Sequence, residues 1–405
     1  MRPLEGIRIV EVAQFTFVPA AGAVLADWGA EVIKVEHARS GDGQRGMRQL
    51  GPVVLDGDRN PGFEHPNRGK RSIGVDIGTP EGLEIVMKLV DEADVFLTNF
   101  LPAARQRLGI DVEHVRARNP NVVYARGSAV GDEGDERENG GYDMTGYWCR
   151  AGSADGITPS GSAAPVPPPP AYGDTIGGMT IAGGISAALL GRERTGHAPE
   201  IDVSLLSTGM WAMALPISIS LDNGKPWVAP PVGISAAPTN PLAGIYETSD
   251  GRFMSILGLQ GFRYWPDFCA HIDRPDLVTD ERFADAESMA ANAPAATAIM
   301  RDVLATKTLA EWTQRFVDLE TPWAPIQNTV EVAADVQARA NGYIATVEGD
   351  DGETFELVSS PVRFDRTTPQ LKAAPGFAAD TDDILGELGF DMDAIIELKI
   401  AGVIT

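Results

Sequence analysis

The chain has 405 residues, 43% of them hydrophobic and 22% charged, which is ordinary globular composition and enough length for two or three domains. A net charge of -24 works against nucleic acid or an anionic membrane as partner, because both need a basic surface. Cys149 and Cys269 stand far apart with no CxxC, so neither a disulfide framework nor a thiolate metal site is expected and a reducing cytoplasm suits the chain.

The amino-terminal segment moves directly into a strand pattern, IRIVEV, without a signal-peptide core, and no apolar run is long enough to span a bilayer. The helix pattern PAAGAVLADWG follows and closes on glycine, and EVIKVE reads as the next strand. This is a βαβ unit. SIGVDI, a helix over PEGLEIVMKLVDEA, DVFLTNF, a further helix and NVVYARGS continue the alternation, which predicts an α/β class with a parallel, doubly wound, Rossmann-like sheet. EIDVSLL reads as one more strand and LLSTGMWAMALPISISL as one long apolar helix.

Near residue 224 the texture turns rich in proline and glycine, GKPWVAPPVGISAAPTNPLAG, the signature of a linker. Beyond it IYETSDGRFMSIL reads as a hairpin turning at Asp250 and Gly251, with helices to about residue 320. The division is therefore a large domain over 1–225, a small α+β domain over 226–328 and a carboxy-terminal return over 329–405. That return carries a helix, strand-like YIATVEG and FELVSSPVRF, and a helical pair split by Gly389.

The stretch YGDTIGGMTIAGGISAALLGRERTG, 172–196, reads as a helix with Asp174 in its first turn and glycine at 177, 178, 183 and 184. Each interior glycine forfeits roughly 1 kcal/mol against alanine, so something must need the absent side chains: a neighbouring backbone or a ligand. Other chemistries leave no mark. The histidines His37, His65, His114, His197 and His271 form no HExxH, and there is no GxSxG elbow and no Walker loop. A GxGxxG at Gly41–Gly46 follows the second strand rather than the first and opens no helix pattern, which disfavours a dinucleotide site; its Arg39 and Arg45 either face a phosphate or are solvated charges.

Several stretches taken in order resemble the family III CoA-transferases, a group that includes formyl-CoA transferase and carnitine CoA-transferase. They are EVAQFTFVPAAGAVLADWGAEVIKVEHARSGDGQR, NRGKRSIGVDI, DVFLTNFLPAARQRLGI, GGYD, YGDTIGGM, LLGRERTG and the late SSPVRF and APGFAADTDDILGELG. The resemblance covers nearly the whole chain and implies an interlocked homodimer of large and small domains. It also implies CoA transfer from an acyl-CoA to a carboxylic acid, with acyl-CoA as substrate and no tightly bound cofactor or metal.

In that family the aspartate of G-D-x-x-x-G-M is the covalent nucleophile, which makes Asp174 the catalytic residue by resemblance. A helix N-terminus favours the ionised form of a carboxylate, so Asp174 is expected to be an ionised nucleophile rather than a general base, with the glycines clearing space for oxyanion donors. The CoA-lining positions carry over to Phe15, Thr16, His37, Arg39, Val75, Asp76, Asn99, Phe100, Arg107 and Leu108, and GGYD adds Tyr142 and Asp143 to the site. His37 departs from the family, where arginine is frequent, and the four-glycine run of oxalate-type members is missing. The α-methylacyl-CoA racemases of the same family use a histidine in G-H-D; here the segment is Gly141-Tyr142-Asp143. Tyrosine, with an ordinary pKa of about 10, is a poor base at neutral pH, so racemase is the alternative to transferase and an inactive CoA-binding dimer a third class.

Overall fold

The strand patterns carry the larger of two units. In the computed structural model, which describes residues 2–57, 59–231, 239–349 and 352–405, β1 (Arg8–Val12), β2 (Glu31–Glu36), β5 (Arg71–Gly74), β6 (Val95–Thr98), β7 (Val123–Ser128) and β8 (Glu200–Ser204) form one sheet. Its order is β5-β2-β1-β6-β7-β8 and every pairing is parallel. Successive side chains point to opposite faces, and both faces are buried. Ile9, Val32, Leu97 and Ala125 pack on one side with α1 (Phe17–Asp27) and α7 (Tyr172–Thr195). Val10, Ile33, Phe96 and Tyr124 pack on the other with α3 (Pro80–Asp91), α5 (Val112–Arg118), α16 (Thr381–Glu387) and α17 (Met392–Ile400).

The carboxy-terminal return closes this unit. Asp76 N–H donates to Val403 O at 2.8 Å, Val75 forms an antiparallel bridge with Ile404, and Ser72 N–H donates to the Asp380 carboxylate at 2.8 Å. Shorter pieces complete it: the ribbon β3 (Gln49–Leu50) with β4 (Val53–Val54), the hairpin β12 (Ile344–Glu348) with β13 (Thr354–Val358), and the helices α2 (Pro61–Asn67), α4 (Pro102–Arg107) and α15 (Val336–Ala340). The expected strand FELVSSPVRF stops at Val358. Gly389, at φ +86°, separates the last two helices as its position in the sequence implies.

The smaller unit has a three-stranded antiparallel sheet, order β11-β10-β9, built from β9 (Ala243–Glu247), β10 (Phe253–Leu257) and β11 (Trp323–Pro325). Trp265, Phe268, Trp312 and Phe316 fill its core beneath α10 (Gly261–His271), α12 (Ala293–Leu304) and α13 (Leu309–Arg315), with α11 (Ala286–Ala291) alongside. The hairpin turns at Gly251, φ +71°. This unit comprises Ile157–Pro165 and Val228–Asp335, and the larger one Met1–Gly156, Val166–Trp227 and Val336–Thr405. The boundaries differ from 226–328 for identifiable reasons. Ser160 N–H donates to Ala229 O, and the Arg252 guanidinium grips Glu331 through two 2.8 Å contacts, which ties α14 (Thr329–Ala334) to β10. Residues 232–238 of the expected linker lie outside the described residues.

The single long helix expected over 205–221 is two. Helix α8 (Leu205–Ala212) and α9 (Ala214–Asn223) meet at 75° around Met213. Pro216 has no N–H for the carbonyl of Ala212 and its ring crowds that carbonyl, so the helix breaks one turn earlier. Among the described residues no single helix is long and apolar enough to cross a membrane.

Two of the glycines of α7 are explained by close approach to α1. A Cβ on Gly178 would lie 2.6 Å from Ala20 Cβ and 2.9 Å from Phe17 O, and one on Gly177 would enter the Phe17 ring. Gly173 meets Tyr147 in the same way, at 2.6 Å from Cγ. These glycines serve helix packing, which corrects the expectation that they clear space for oxyanion donors. Gly183 has open space around it and nothing in the chain explains it. Gly178→Ala should therefore destabilise the protein by about 1–3 kcal/mol through overpacking, read as a lowered urea midpoint, despite alanine's better helix propensity.

Candidate active site

The order of the main sheet reverses between β1 and β6, the neighbours of β1 being β2 on one side and β6 on the other. In open α/β sheets the crevice for ligands lies beyond the carboxyl ends of the strands at such a point. Here the loop after β1, residues 13–16, faces the loop after β6. Gln14 and Asn99 lock them together: Asn99 Nδ2 donates to Gln14 O at 2.7 Å and Gln14 N–H donates to Asn99 Oδ1 at 3.1 Å.

The rest of this loop and the first turn of α1 are held from below by buried charges. Lys34 Nζ donates to Ala13 O at 2.9 Å and pairs with Asp42 at 2.8 Å and Glu11 at 3.3 Å. Asp42 Oδ1 accepts from Phe15 N–H at 3.1 Å, Gln44 exchanges hydrogen bonds with the Thr16 hydroxyl, and Lys70 Nζ donates to Pro19 O at 2.9 Å while pairing with Glu11 at 2.8 Å. Burial opposes the charge on Lys34, but Glu11 and Asp42 overcome it and its pKa is raised. The loop so held puts Phe15 at φ 65°, a left-handed conformation that a bulky residue adopts only when its surroundings impose it.

Two cavities in the larger unit meet at this loop, both touching Gln14 and Phe100. One, of about 630 Å³, is lined by Phe15, Asn99, Phe100, Tyr142 and Asp174 together with Gln14, Phe17, Leu101 and Leu205. The other, of about 260 Å³, is lined by His37, Val75, Asp76, Phe100 and Leu108. The structure thus gathers nine of the residues singled out in the sequence into two adjoining cavities. Thr16 is buried with its hydroxyl turned to Gln44, and Arg39 and Arg107 are exposed and line neither cavity. His37 Nδ1 lies 3.2 Å from the Arg39 amide nitrogen. Asp143 faces α7 instead, accepting from Met144 N–H at 2.7 Å and Gly173 N–H at 3.3 Å. Arg45, weighed as a phosphate partner, is spent on Glu36 and on Pro375 O.

Asp174 is the third residue of α7, and the residue preceding the helix, Ala171, sits at φ 58° with no side chain capping the terminus. Among the described residues none donates a hydrogen bond to its carboxylate. Burial, and then the neighbouring charge of Asp143, push Asp174 up to about 7. This corrects the expectation of a carboxylate held ionised by the helix terminus. A dipole contribution of about 0.3–1 kcal/mol is smaller than the desolvation of a partly buried carboxylate that lacks donors.

These features define a ligand crevice of the doubly wound class with one unpartnered, basic carboxylate in its wall. The model of CoA-transferase family III matches residues 4–381, and the chain belongs to that family. It is 30% identical over 402 residues to (R)-2-hydroxy-4-methylpentanoate CoA-transferase of Clostridioides difficile, covering 99% of each chain. To the cinnamoyl-CoA:phenyllactate CoA-transferase of Clostridium sporogenes it is 30% identical, covering 97% of this chain and 95% of that one. Among solved structures, Rv3272 of Mycobacterium tuberculosis superposes with a TM-score of 0.79 at 28% identity over 95% of this chain and 99% of that one. A CaiB/BaiF family protein of Brucella suis gives 0.79 at 29%, with the same coverage. The protein is accordingly an enzyme of family III, the relatives above being named CoA-transferases.

Gln14, Phe17, Leu101 and Leu205 were not singled out in the sequence, where they read as core or loop residues. Glu11 inside IRIVEV and Lys34 inside EVIKVE, charges within otherwise apolar strand patterns, are the signs of the charge cluster that the sequence carries. Because Asp174 rises from an ordinary 3.8 to about 7, its ionisation costs the fold stability as the pH climbs between those values. Asp174→Asn should therefore be more stable than the parent above pH 7, with the gap closing below about pH 4, in thermal melts across that range.

Proposed function

We propose that the enzyme moves CoA from an acyl-CoA to an acceptor carboxylic acid through covalent intermediates on Asp174. The carboxylate attacks the thioester carbonyl, the C–S bond breaks, and a mixed anhydride and CoA thiolate form. The thiolate attacks the aspartyl carbonyl, releasing the donor acid and leaving an aspartyl-CoA thioester. The acceptor carboxylate attacks that thioester, and the freed thiolate then takes the acceptor's acyl carbon, which restores Asp174.

The observation that carries this reading is the state of Asp174: partly buried, without a hydrogen-bond donor, and raised to about 7. A carboxylate stripped of donors is more basic and more nucleophilic once ionised than a solvated one, so the site trades population of the charged form for reactivity. CoA would lie along the adjoining cavities past Phe15, Asn99, Phe100, Val75, Asp76 and Leu108, with His37, Arg39 and Arg107 toward its phosphates and Thr16 holding the loop. The relatives support transfer between two acids without agreeing on which: besides the two above, one is named a succinate–glutarate CoA-transferase and another a formyl-CoA:oxalate CoA-transferase. An interlocked homodimer, whose mass light scattering reads, completes the reading.

The raised pKa also suits proton transfer, which is the racemase alternative. Tyr142 stands where that chemistry would use a histidine, and it is 61% exposed at the mouth of the cavity. Incubation of a 2-methylacyl-CoA in deuterium oxide should leave the α-position unlabelled; rapid labelling that vanishes in Asp174→Asn would favour the racemase.

Asp174→Ala should lower transfer by about 10⁴-fold or more, the scale of removing a covalent nucleophile. Hydroxylamine added to the parent enzyme with a competent donor should yield a hydroxamate at Asp174. The parent rate should rise with pH and level off above about 7. A near-normal rate in Asp174→Ala would end this reading.

A further inference from the structure

Helix α7 sets Asp174 in the crevice wall, but nothing in the chain accounts for its outer face. From Thr175 to Gly191 the helix bears no charged residue. The exposed stripe runs through Ile176, Thr180, Gly183, Ala187 and Leu190, at the alternating intervals of four and three residues that keep to one side of a helix. An interior glycine weakens a helix; at Gly177 and Gly178 the chain gains close packing in return, whereas a Cβ on Gly183 would meet nothing within 4 Å.

The stripe is complementary to itself about Gly183. Counted outward from that glycine, the positions three residues away are Thr180 and Ser186, those seven away Ile176 and Leu190, and those eleven away Tyr172 and Arg194. Hydroxyl matches hydroxyl, aliphatic matches aliphatic, and a phenol ring matches a guanidinium that is exposed and has no ion pair among the described residues. Two copies of α7 laid antiparallel across a two-fold axis at Gly183 place each residue opposite the one equally far from the axis on the partner, so every one of these pairs meets its match. A shallow crossing angle keeps the pairs in register along the helix, and glycine at the crossing lets the two backbones approach closely.

The neighbouring helices supply the area that such a contact needs. Helix α8 packs against α7, and α9, which follows it, has no buried residue. Trp211, Leu215 and Leu221 are 81%, 72% and 81% exposed. With Ile176, Leu190 and Met210 they leave on the order of 700 Å² of apolar side chain uncovered, more than a typical monomer shows and close to the ~800 Å² that each partner gives to a standard interface. At a net charge of -24, an uncharged face is where two copies repel least, and the same charge works against an anionic membrane as occupant. We propose that α7 pairs antiparallel with α7 of a second copy of this chain across a two-fold axis at Gly183, with α8 and α9 widening the contact. The inference rests on the homodimer of the preceding reading and gives that dimer its seam.

The test is disulfide trapping in the full-length protein, carrying Cys149→Ser to remove the exposed native thiol; Cys269 is buried. Gly183→Cys should give a covalent dimer on a non-reducing gel, because a residue on the axis faces its own copy, within the Cα separation of about 4.4–6.8 Å that a disulfide spans. Ile176→Cys alone and Leu190→Cys alone should stay unlinked, and the double variant should link. A second readout turns on sign. In open solvent leucine is the better helix former and Gly183→Leu would raise the melting temperature, whereas at a helix crossing it should lower it by about 5 °C or more.

A dimer by light scattering that links at none of these positions overturns the seam and leaves the homodimer standing. Linking of Ile176→Cys to itself would make the helices parallel and overturns the proposal. A monomer that Gly183→Leu stabilises overturns the seam and the homodimer together, and sedimentation of that monomer with phosphatidylcholine vesicles would assign the face to a membrane instead. None of these readouts uses transfer, so the chemistry of Asp174 stands or falls separately.

Discussion

The crevice depends on a cluster of charges that no water reaches. Glu11, Lys34 and Lys70 have fully buried side chains, as does Asp42, and together they hold Ala13, Phe15 and Pro19 by backbone atoms. Such a cluster is expensive to desolvate, and its net contribution to stability against an apolar packing of the same volume is small or unfavourable. Removing one member, though, strands the others and costs about 3–5 kcal/mol. The cluster is better understood as a device that specifies one loop geometry. The loop it fixes is the one that crosses the carboxyl end of β1, where sheet topology opens the crevice.

From that loop the remaining geometry follows in steps. Phe17 begins α1, and α1 presses on α7 so closely that Gly177 and Gly178 have no room for a side chain. That contact, with Gly173 against Tyr147, sets the first turn of α7 and with it the direction of Asp174. The amino terminus of α7 is served by Asp143, which accepts from Gly173 N–H. Among the described residues Asp174 is left with neither donor nor cation. Packing and electrostatics therefore converge on one side chain: the contacts that set the first turn of α7 also leave the Asp174 carboxylate partly buried beside Asp143.

Much of the larger unit was legible in the sequence because its strands alternate with helices in a strict order and both faces of the sheet are apolar. Asp174 and several of the residues about it were legible through motifs at fixed intervals. Other features were hidden because they arise only in three dimensions. The pKa direction of Asp174 went unread because the sequence shows a helix terminus but not the nearby Asp143 or the lack of donors. The glycines of α7 suggested clearance without saying whether a ligand or α1 fills it. Pro216 broke an apolar run that hydropathy alone presented as continuous, and Glu331 drew α14 to the smaller unit through Arg252, a partner 79 residues away. The left-handed Phe15 has no signature in a sequence, since any residue there would look like loop.

If Asp174 is acylated, one of its oxygens exchanges with the substrates' carboxylates during transfer. Turnover with an acceptor acid labelled with ¹⁸O in its carboxylate, followed by peptide mass spectrometry, reads this without relying on a mutant. The peptide containing Asp174 should gain the label with turnover, and no other carboxylate of the protein should. Active transfer with no label at Asp174 would contradict it, because CoA would then be passing between acids by a route in which that carboxylate is never acylated.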